Sequence, residues 1–286
     1  MAFLPDLNGC YSASSIHIVS THIQVPQIMV ALTQIQAAIE AKQATELEYL
    51  CLANLNLYSS TALDSLATQA VAGRHLKVVA IPSDGNPQAI QVQLCEDDYP
   101  GWLAIEDLEA LELAEIAYQH IPVSQPEIYQ RLPQIIAYTH QAMAQPNCYL
   151  WGGTVGPNYD CSGLIQTAFA AFGIWLPRDA YQQEAFVQPI EMELLQPGDL
   201  VFFGKPERAT HVGLYLEDQR YIHSSGKAQG HNGIGIDVLS EQGDIVSQTY
   251  YRQLRGAGRV MKSYIPGKSV SAKTVYPDQL DANNPL

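Results

Sequence analysis

The stretch NYDCSGLIQ, residues 158–166, places a cysteine where it could act as a nucleophile. Asp160 is a good helix N-cap, and the apolar residues after Cys161 predict a helix that stops at Gly173. Unpaired N–H groups and the dipole at a helix start favour a negative charge. We therefore expect the thiol pKa to fall below its usual value of about 8.5. The same N–H groups would bind a developing oxyanion. A packed, unreactive cysteine is the alternative that this motif alone leaves open.

Two histidines on a predicted β-hairpin offer a base for this thiol. HVGLYL and YIHSS read as strands, joined by the turn EDQR. For His211 and His223 to face one side, odd-numbered residues must pair with odd-numbered ones, which requires a three-residue loop or a bulge. With His211 as general base and His223 as its orienter, the three residues would form a Cys-His-His triad.

Other chemistries fit these residues less well. Cys161, His211 and His223 are also possible zinc ligands, but the sequence shows no obvious fourth ligand. The glycines of GGTVG lack the βαβ frame of a nucleotide-binding loop. His231, in the polar loop KAQGHNGIG, is expected to be solvated. We therefore predict an enzyme with no metal and no other cofactor.

Composition limits the class of protein and its partners. The 286 residues are 47% apolar and 15% charged, which is typical of a globular chain with one or two cores. A formal net charge of −14 disfavours nucleic acid and anionic membranes as partners. Five widely spaced cysteines without a CxxC pair predict a reduced compartment. MAFLPDLNGCYSASS lacks the features of a secretory signal, and no stretch is long enough to span a membrane, so we expect a cytoplasmic protein. The sequence does not indicate an oligomeric state.

Changes of hydrophobic period divide the chain into five segments. The first has a helical stripe that includes Leu32 and Ile35, and the second has the period of two that predicts short strands. The predicted segments are an N-terminal extension (1–45), a small β-barrel (46–112), a helical linker (113–133), a catalytic domain (134–266) and a polar tail (267–286).

Two segments resemble known families. The order LNLYSS, LATQAVAGRHLKVV and YPGWLAIEDL resembles a bacterial SH3-like domain, although Tyr58 stands where those domains usually carry Arg. The motifs YLWGG, DCSGL, PGDLVFF and HVGLYL, followed by the second His, resemble the NlpC family of bacterial cell-wall cysteine peptidases over about residues 134–264.

The NlpC resemblance implies a fold and an activity. It implies an α+β, papain-like domain in which the helix that bears Cys161 packs on an antiparallel sheet. It also implies cleavage of the bond between γ-D-glutamate and a diamino acid in peptidoglycan stem peptides. Cys161, His211 and His223 fall on the catalytic positions of that family, in which SH3-like domains commonly precede the catalytic domain.

Two other functions remain open at this point. An acyltransferase or amidase could use the same nucleophile, because an amine can resolve a thioester in place of water. A wall-binding module with a decayed catalytic half would lack the nucleophile or the base, whereas this chain keeps all three residues.

Five residues are predicted to bind substrate. We expect Asp160 to pair with the free α-amine of L-Ala in recycled stem peptides, and Tyr99 to close that pocket from the SH3-like domain. Arg178 could bind the α-carboxyl of D-Glu, or pair with Asp179 or a surface acid. Tyr149 and Ser162, within YLWGG and DCSGL, complete the predicted set.

Overall fold

The computed structural model describes residues 32–40, 47–82 and 87–268 of the chain. They form an α+β structure with two antiparallel sheets, each packed around its own core. Residues 1–31 of the predicted extension and 269–286 of the predicted tail lie outside the described residues. Among the helices described, none has the length and apolar character needed to cross a bilayer.

The first sheet is a seven-stranded barrel-like domain with the strand order β3-β2-β6-β5-β4-β1-β7. Its alternating residues bury Leu57, Leu76 and Val92, as the period of two predicts. Helix α1 (Leu32–Glu40) places Ile35 in the same core. The strands are β1 (Glu48–Cys51), β2 (Leu55–Tyr58), β3 (Leu66–Ala70), β4 (His75–Ala80), β5 (Ala89–Leu94), β6 (Pro100–Ala104) and β7 (Leu111–Leu113).

The predicted helical linker is wrong over its first half. Residues Ile105–Ala110 form a 3-10 helix, and β7 then pairs with β1 through Tyr49 and Leu113. The segment 114–124 has no regular helix. Burial of Leu111 in the barrel outweighs the helical propensity of this Leu- and Glu-rich stretch. The long helix begins only at Gln125, behind a capping box formed by Ser124, and passes through Pro133.

The second sheet has six strands in the order β12-β11-β10-β9-β13-β8. Helix α3 packs against β10 and β11 of this sheet and against α2, so the cysteine helix lies on the antiparallel sheet. The elements are α2 (Gln125–Met143), α3 (Cys161–Ala170), α4 (Ala180–Phe186), β8 (Gln188–Ile190), β9 (Leu200–Lys205), β10 (Arg208–Tyr215), β11 (Arg220–Ser225), β12 (Gly233–Val238), α5 (Ile245–Tyr251) and β13 (Leu254–Arg259).

The hairpin register predicted for the two histidines is confirmed. Tyr215 pairs with Tyr221, and the amide of Leu216 donates to the carbonyl of Arg220 at 2.9 Å, which leaves a three-residue loop. Odd residues therefore pair with odd ones, and His211 and His223 share a face.

The start of α3 is held by a close approach that only glycine allows. A Cβ on Gly163 would lie 2.0 Å from the carbonyl oxygen of Gly153, in the loop that crosses the helix. The same loop is bound to the barrel: Gln69 Oε1 accepts from the amides of Thr154 and Val155 at 3.1 Å each. The barrel is thus attached directly beside the nucleophile helix.

Candidate active site

Cys161 is the first residue of α3 and is buried beneath the sheet. Asp160 caps the helix, its Oδ1 accepting from the amide of Gly163 at 2.6 Å, as its sequence position predicts. The backbone N–H groups of Ser162 and Val212 point at the sulfur. Because Val212 follows His211 on its strand, the thiol lies next to the strand that carries His211.

Three successive strands supply the polar partners of this thiol. His211 lies on β10, His223 on β11 and Asp237 on β12. His223 is paired with Gly235, so Asp237 is its diagonal neighbour on the same face of the sheet.

These side chains form a continuous hydrogen-bond chain. His211 Nε2 lies 2.6 Å from His223 Nδ1, and His223 Nε2 lies 2.6 Å from Asp237 Oδ2. The carboxylate can only accept, so His223 carries its proton on Nε2 and accepts at Nδ1 from His211 Nε2–H. His211 Nδ1 is then unprotonated, and it is the only ring nitrogen left to take the thiol proton. Asp237 therefore determines the tautomers of both imidazoles.

Aromatic rings enclose the general base. The ring of Tyr250, on α5, stacks on His211 with centroids 4.2 Å apart and planes inclined by 25°. Phe203 packs on His211 with centroids 5.9 Å apart. These rings exclude water from the His211–His223 hydrogen bond, which is stronger in a medium of low polarity.

Burial also sets the charge states of these groups. It lowers the pKa of His211 well below its ordinary value, with a further contribution from His223. It lowers the pKa of His223 too, although the hydrogen bond to Asp237 opposes the effect. For Asp237 burial acts to raise the pKa, but hydrogen bonds from His223 and His231 hold it below its ordinary range. The chain at rest is therefore two neutral imidazoles ending on a carboxylate.

The expected lowering of the Cys161 pKa is wrong. Burial, together with the charge of Asp160, raises the pKa of the thiol to about 12. The amides of Ser162 and Val212 and the charge of Arg178 offset only part of this effect. The expectation considered the helix start but not the desolvation of the sulfur.

Two predicted substrate-binding residues bind each other instead. Arg178 Nη2 donates to Asp160 Oδ2 at 2.6 Å, and its Nη1 donates to Oδ1 at 3.1 Å. The amide of Gly152 also donates to Oδ2, at 2.9 Å. Arg178 is only 1% exposed, and its Nε donates to Thr68 of the barrel at 2.9 Å. The charge of Asp160 is thus already compensated, which argues against its predicted pairing with a substrate amine.

The neighbouring carboxylate of Asp179 lies at the N-cap of α4 and differs from Asp160 in its partners. Tyr99 Oη donates to its Oδ1 at 3.2 Å. The predicted barrel residue therefore contacts the wall of the site that Asp160, Arg178 and Asp179 form. Among the residues described, Asp179 forms no salt bridge within 4.0 Å. Burial raises its pKa to about 6, against the lowering effect of Arg178 and of the Tyr99 hydrogen bond.

The remaining two predicted residues also lie close to the nucleophile. Burial raises the pKa of Tyr149 above its ordinary value, and the charges of Cys161 and Asp160 add to this effect. Ser162 Oγ accepts from Arg178 Nη1 at 3.0 Å and donates to Asp160 Oδ1 at 3.3 Å. Its hydroxyl therefore belongs to the Asp160–Arg178 cluster.

Sequence reasoning missed Asp237, Asp179 and Tyr250, and it misplaced His231. His231 is only partly solvated, because its Nε2 lies 2.8 Å from Asp237 Oδ2. The available signal for Asp237 was a single charge in the alternating strand GIGIDV. Tyr250 and Asp179 belong to other elements and have no such signal.

Three side chains lie close enough together to be considered as possible metal ligands. The donor atoms of His223, His231 and Asp237 lie within 4.8 Å of one another. Two hydrogen bonds to a single carboxylate oxygen account for these separations. We interpret the group as part of the hydrogen-bond chain.

Comparisons with known proteins identify both domains. Residues 146–255 match the model of the NlpC/P60 family, and residues 57–108 match that of the bacterial dipeptidyl-peptidase Sh3 domain. The chain therefore contains an NlpC/P60 domain behind a bacterial SH3 domain, as the sequence motifs predicted.

Similar curated proteins are cell-wall enzymes. A γ-D-glutamyl-L-lysine dipeptidyl-peptidase of Bacillus cereus is 39% identical over 79 residues, 27% of this chain and 24% of the relative. The bifunctional muramidase/DL-endopeptidase CwlT of Bacillus subtilis is 42% identical over 81 residues, 27% of this chain and 25% of the relative. The murein DD-endopeptidase MepS/murein LD-carboxypeptidase of Escherichia coli is 36% identical over 94 residues, 32% of this chain and 48% of the relative. The matched part is thus half or less of each relative. A crystal structure of an NlpC/P60 family protein from Bacillus cereus aligns with a TM-score of 0.41 at 23% identity, covering 77% of this chain and 65% of that one.

Proposed function

We propose that this chain is a cysteine endopeptidase that cleaves the γ-D-glutamyl–diamino acid bond of peptidoglycan stem peptides whose N-terminal L-Ala is free. The observation that carries the proposal is the hydrogen-bond chain from His211 through His223 to Asp237. The thiol of Cys161 begins a helix beside it and faces the backbone amide of Val212, the residue after His211. The names of the Bacillus cereus and Bacillus subtilis relatives support the bond chosen.

The geometry supports a two-step acyl transfer. As the Cys161 sulfur attacks the γ-carbonyl carbon of D-Glu, its proton passes to His211 Nδ1. The negative oxygen that forms is stabilised by the backbone N–H groups at the start of α3. His211 then protonates the amine of the diamino acid, which leaves, and an L-Ala-γ-D-Glu thioester remains on Cys161. Water attacks this thioester with His211 again as base, and L-Ala-D-Glu is released.

The resting state in this mechanism is a neutral thiol beside a neutral imidazole. Burial favours the uncharged form of both Cys161 and His211. Proton transfer therefore accompanies attack on the substrate, when Asp237 stabilises the imidazolium that develops on His211. The low pKa of Asp237 keeps its charge present at every pH at which the enzyme works.

The preference for a free amine rests on Asp179. Within the group of Asp160, Arg178 and Asp179, the guanidinium pairs with Asp160, so Asp179 has no ion-pair partner among the described residues. Arg178 also contacts Ser162, the residue after the nucleophile, which places this wall beside the reacting bond. An ammonium group would complement the carboxylate, whereas an N-acylated stem would leave it unpaired. We expect a preference on the order of 10- to 100-fold for the free amine.

The barrel contributes to this selection. Tyr99 Oη donates a hydrogen bond to Asp179, and Thr68 accepts one from Arg178. Stem peptides acquire a free L-Ala amine when the amide to muramic acid is hydrolysed, so the substrates are fragments released by an amidase-type reaction. We accordingly propose a role in recycling such fragments in the cytoplasm.

The test is a digest of synthetic tri- and tetrapeptide stems, with and without a muramyl group, analysed by mass spectrometry. We expect L-Ala-D-Glu and a peptide that begins with the diamino acid, and no products from Cys161→Ala. Cleavage at a D,D bond or at a C-terminal L,D bond would refute the proposed specificity. A parallel digest with an added acceptor amine tests for acyl transfer, which would yield an amide of L-Ala-D-Glu in place of the free acid.

A further inference from the structure

His231 reaches the catalytic chain from a loop. It follows a short 3-10 helix, Lys227–Gln229, and its side chain remains 27% exposed. Its Nε2 lies 2.8 Å from Asp237 Oδ2, the same oxygen that accepts from His223 at 2.6 Å. The mechanism above assigns it no role.

The strand beneath His231 is adapted to its ring. Gly235 lies inside β12, opposite His223, where a glycine weakens a strand unless something approaches it closely. A Cβ at Gly235 would lie 2.9 Å from three atoms of the His231 ring. Because Gly235 has no side chain, the ring of His231 can pack directly on strand β12 and reach Asp237.

Among the residues that the structure describes, three side chains donate hydrogen bonds to the Asp237 carboxylate. Ser247 Oγ donates to Oδ1 at 3.1 Å, while the imidazoles of His223 and His231 both donate to Oδ2. Without His231, Oδ2 would keep a single partner, and the carboxylate could turn away from the line that joins it to His223 and His211.

We propose that His231 is a positioning residue: it holds Asp237 in the orientation that aligns His223 and His211, and its own charge decides how strongly that carboxylate supports the general base. This inference rests on the proposed function, because it assigns His231 a part in that reaction. His231 touches no reacting atom.

The charges around His231 give the direction of the effect. It faces Asp237 on β12, His223 on β11 and, at longer range, Asp244 at the start of α5. The hydrogen bond to Asp237 raises the pKa of His231 above its ordinary value, against the lowering effect of burial. Above that pKa His231 is neutral, and the full charge of Asp237 stabilises the imidazolium that forms on His211. Below it, an imidazolium on His231 cancels that charge, and turnover falls.

Three variants separate this role from simple packing. His231→Gln keeps an N–H donor but cannot titrate, so kcat should stay within about threefold of wild type at pH 8.5, and the acid limb of the kcat profile should move to lower pH. His231→Ala should lower kcat about tenfold at pH 8.5, with KM nearly unchanged, and should move the acid limb in the same direction as His231→Gln. Gly235→Ala should do the same by displacing the ring, and combining it with His231→Ala should add nothing. His140→Gln on α2 is the matched control and should leave the profile unchanged.

Two results would overturn the proposal. One is a wild-type kcat profile for His231→Ala. The other is a loss from Gly235→Ala that adds in full to that of His231→Ala, which would show that the methyl group disrupts the strand independently of His231.

A readout without turnover distinguishes this inference from the proposed function. In 15N spectra of the histidine side chains, His231 should titrate above about 6.5, its titration should shift the His223 resonances, and both effects should vanish in Asp237→Asn. If this coupling is present but no stem peptide is cleaved, the proposed function fails and the contact of His231 with Asp237 stands. If peptides are cleaved and the coupling is absent, the His231 proposal fails.

Discussion

The two sides of Cys161 are built in opposite ways. On one side, His211, His223 and Asp237 come from three successive strands of one domain, and hydrogen bonds join residues only 12 and 14 positions apart. On the other side, the wall of Asp160, Arg178 and Asp179 is bound by the SH3 domain, through contacts that span 110 residues to Thr68 and 80 residues to Tyr99. At rest the first side has two neutral imidazoles that end on one carboxylate, whereas the second side has a guanidinium between two carboxyl groups.

We infer from this difference that one side of Cys161 carries out the reaction and that the other side selects the substrate. The reacting groups depend on local structure that one domain provides, whereas the groups that would recognise the substrate also contact the other domain. Substitutions on the sheet side should therefore change kcat. Substitutions on the wall should change KM, selectivity or stability.

The largest effect is expected from the nucleophile and its base. Cys161→Ala and His211→Ala should each lower kcat by about 10⁴-fold or more, because removing either member of an acyl-transfer pair disables both steps. The fold should remain, as judged by circular dichroism and thermal unfolding. A few per cent of wild-type hydrolysis in Cys161→Ala would remove the cysteine from the mechanism.

A smaller loss is expected from the residue that sets the tautomers. Asp237→Asn places an amide where the carboxylate accepts, so His223 no longer has a reason to keep its proton on Nε2. We expect kcat to fall by about 10²- to 10³-fold with KM unchanged.

The matched control is Asp244→Asn, which removes a nearby charge while keeping the N-cap of α5. It should stay within about threefold of wild type. Equal losses in the two variants would show that net charge, and not the hydrogen-bond chain, supports His211.

On the wall, Arg178→Met should act on stability. It leaves the buried Asp160 carboxylate without its cation, at a cost of about 3–5 kcal/mol in the free energy of unfolding measured with urea. Adding Asp160→Asn should recover part of this loss, because the two residues share one interaction. If Arg178→Met unfolds like wild type but binds substrate weakly, the sequence-based prediction that Arg178 binds the D-Glu carboxyl is the better one.

The smallest expected effect is a shift in the pH at which the thiol of Cys161 reacts. Because burial raises the pKa of Cys161, its alkylation by iodoacetamide should have a midpoint above the free-thiol value of about 8.5. Peptide mass spectrometry can follow Cys161 and the exposed Cys148 in one sample. A midpoint below that of a free thiol would mean that Cys161 and His211 form an ion pair before substrate binds.

The sequence predicts the sheet side of the site better than the wall that contacts the SH3 domain. The cap at Asp160, the strand of His211 and the three-residue hairpin loop were predictable, because each depends on residues within a few positions of one another. Asp237 needed the register of a third strand, which the loop around His231 conceals.

The pairing of Asp160 with Arg178 could not be predicted. Both residues had been assigned to substrate, because charge next to a nucleophile suggests recognition. Their contact depends on how the turn before α4 folds back on α3 and on Thr68 from the other domain. The helical linker predicted over 113–133 failed over its first half for a related reason, since the pairing of β7 with β1 precedes it and no regular helix forms before Gln125.

The recognition of a free amine by Asp179 is tested most directly with two tripeptides that differ in one group. These are L-Ala-γ-D-Glu-diamino acid with a free and with an acetylated N-terminus, compared by kcat/KM in wild type and in Asp179→Asn. Wild type should prefer the free amine, and the preference should weaken as pH falls through about 6, where Asp179 in the free enzyme becomes protonated and loses its charge. Asp179→Asn should raise KM for the free-amine peptide and leave the acetylated one almost unaffected. Equal kcat/KM for both peptides in wild type would contradict the assignment of substrate selection to this wall.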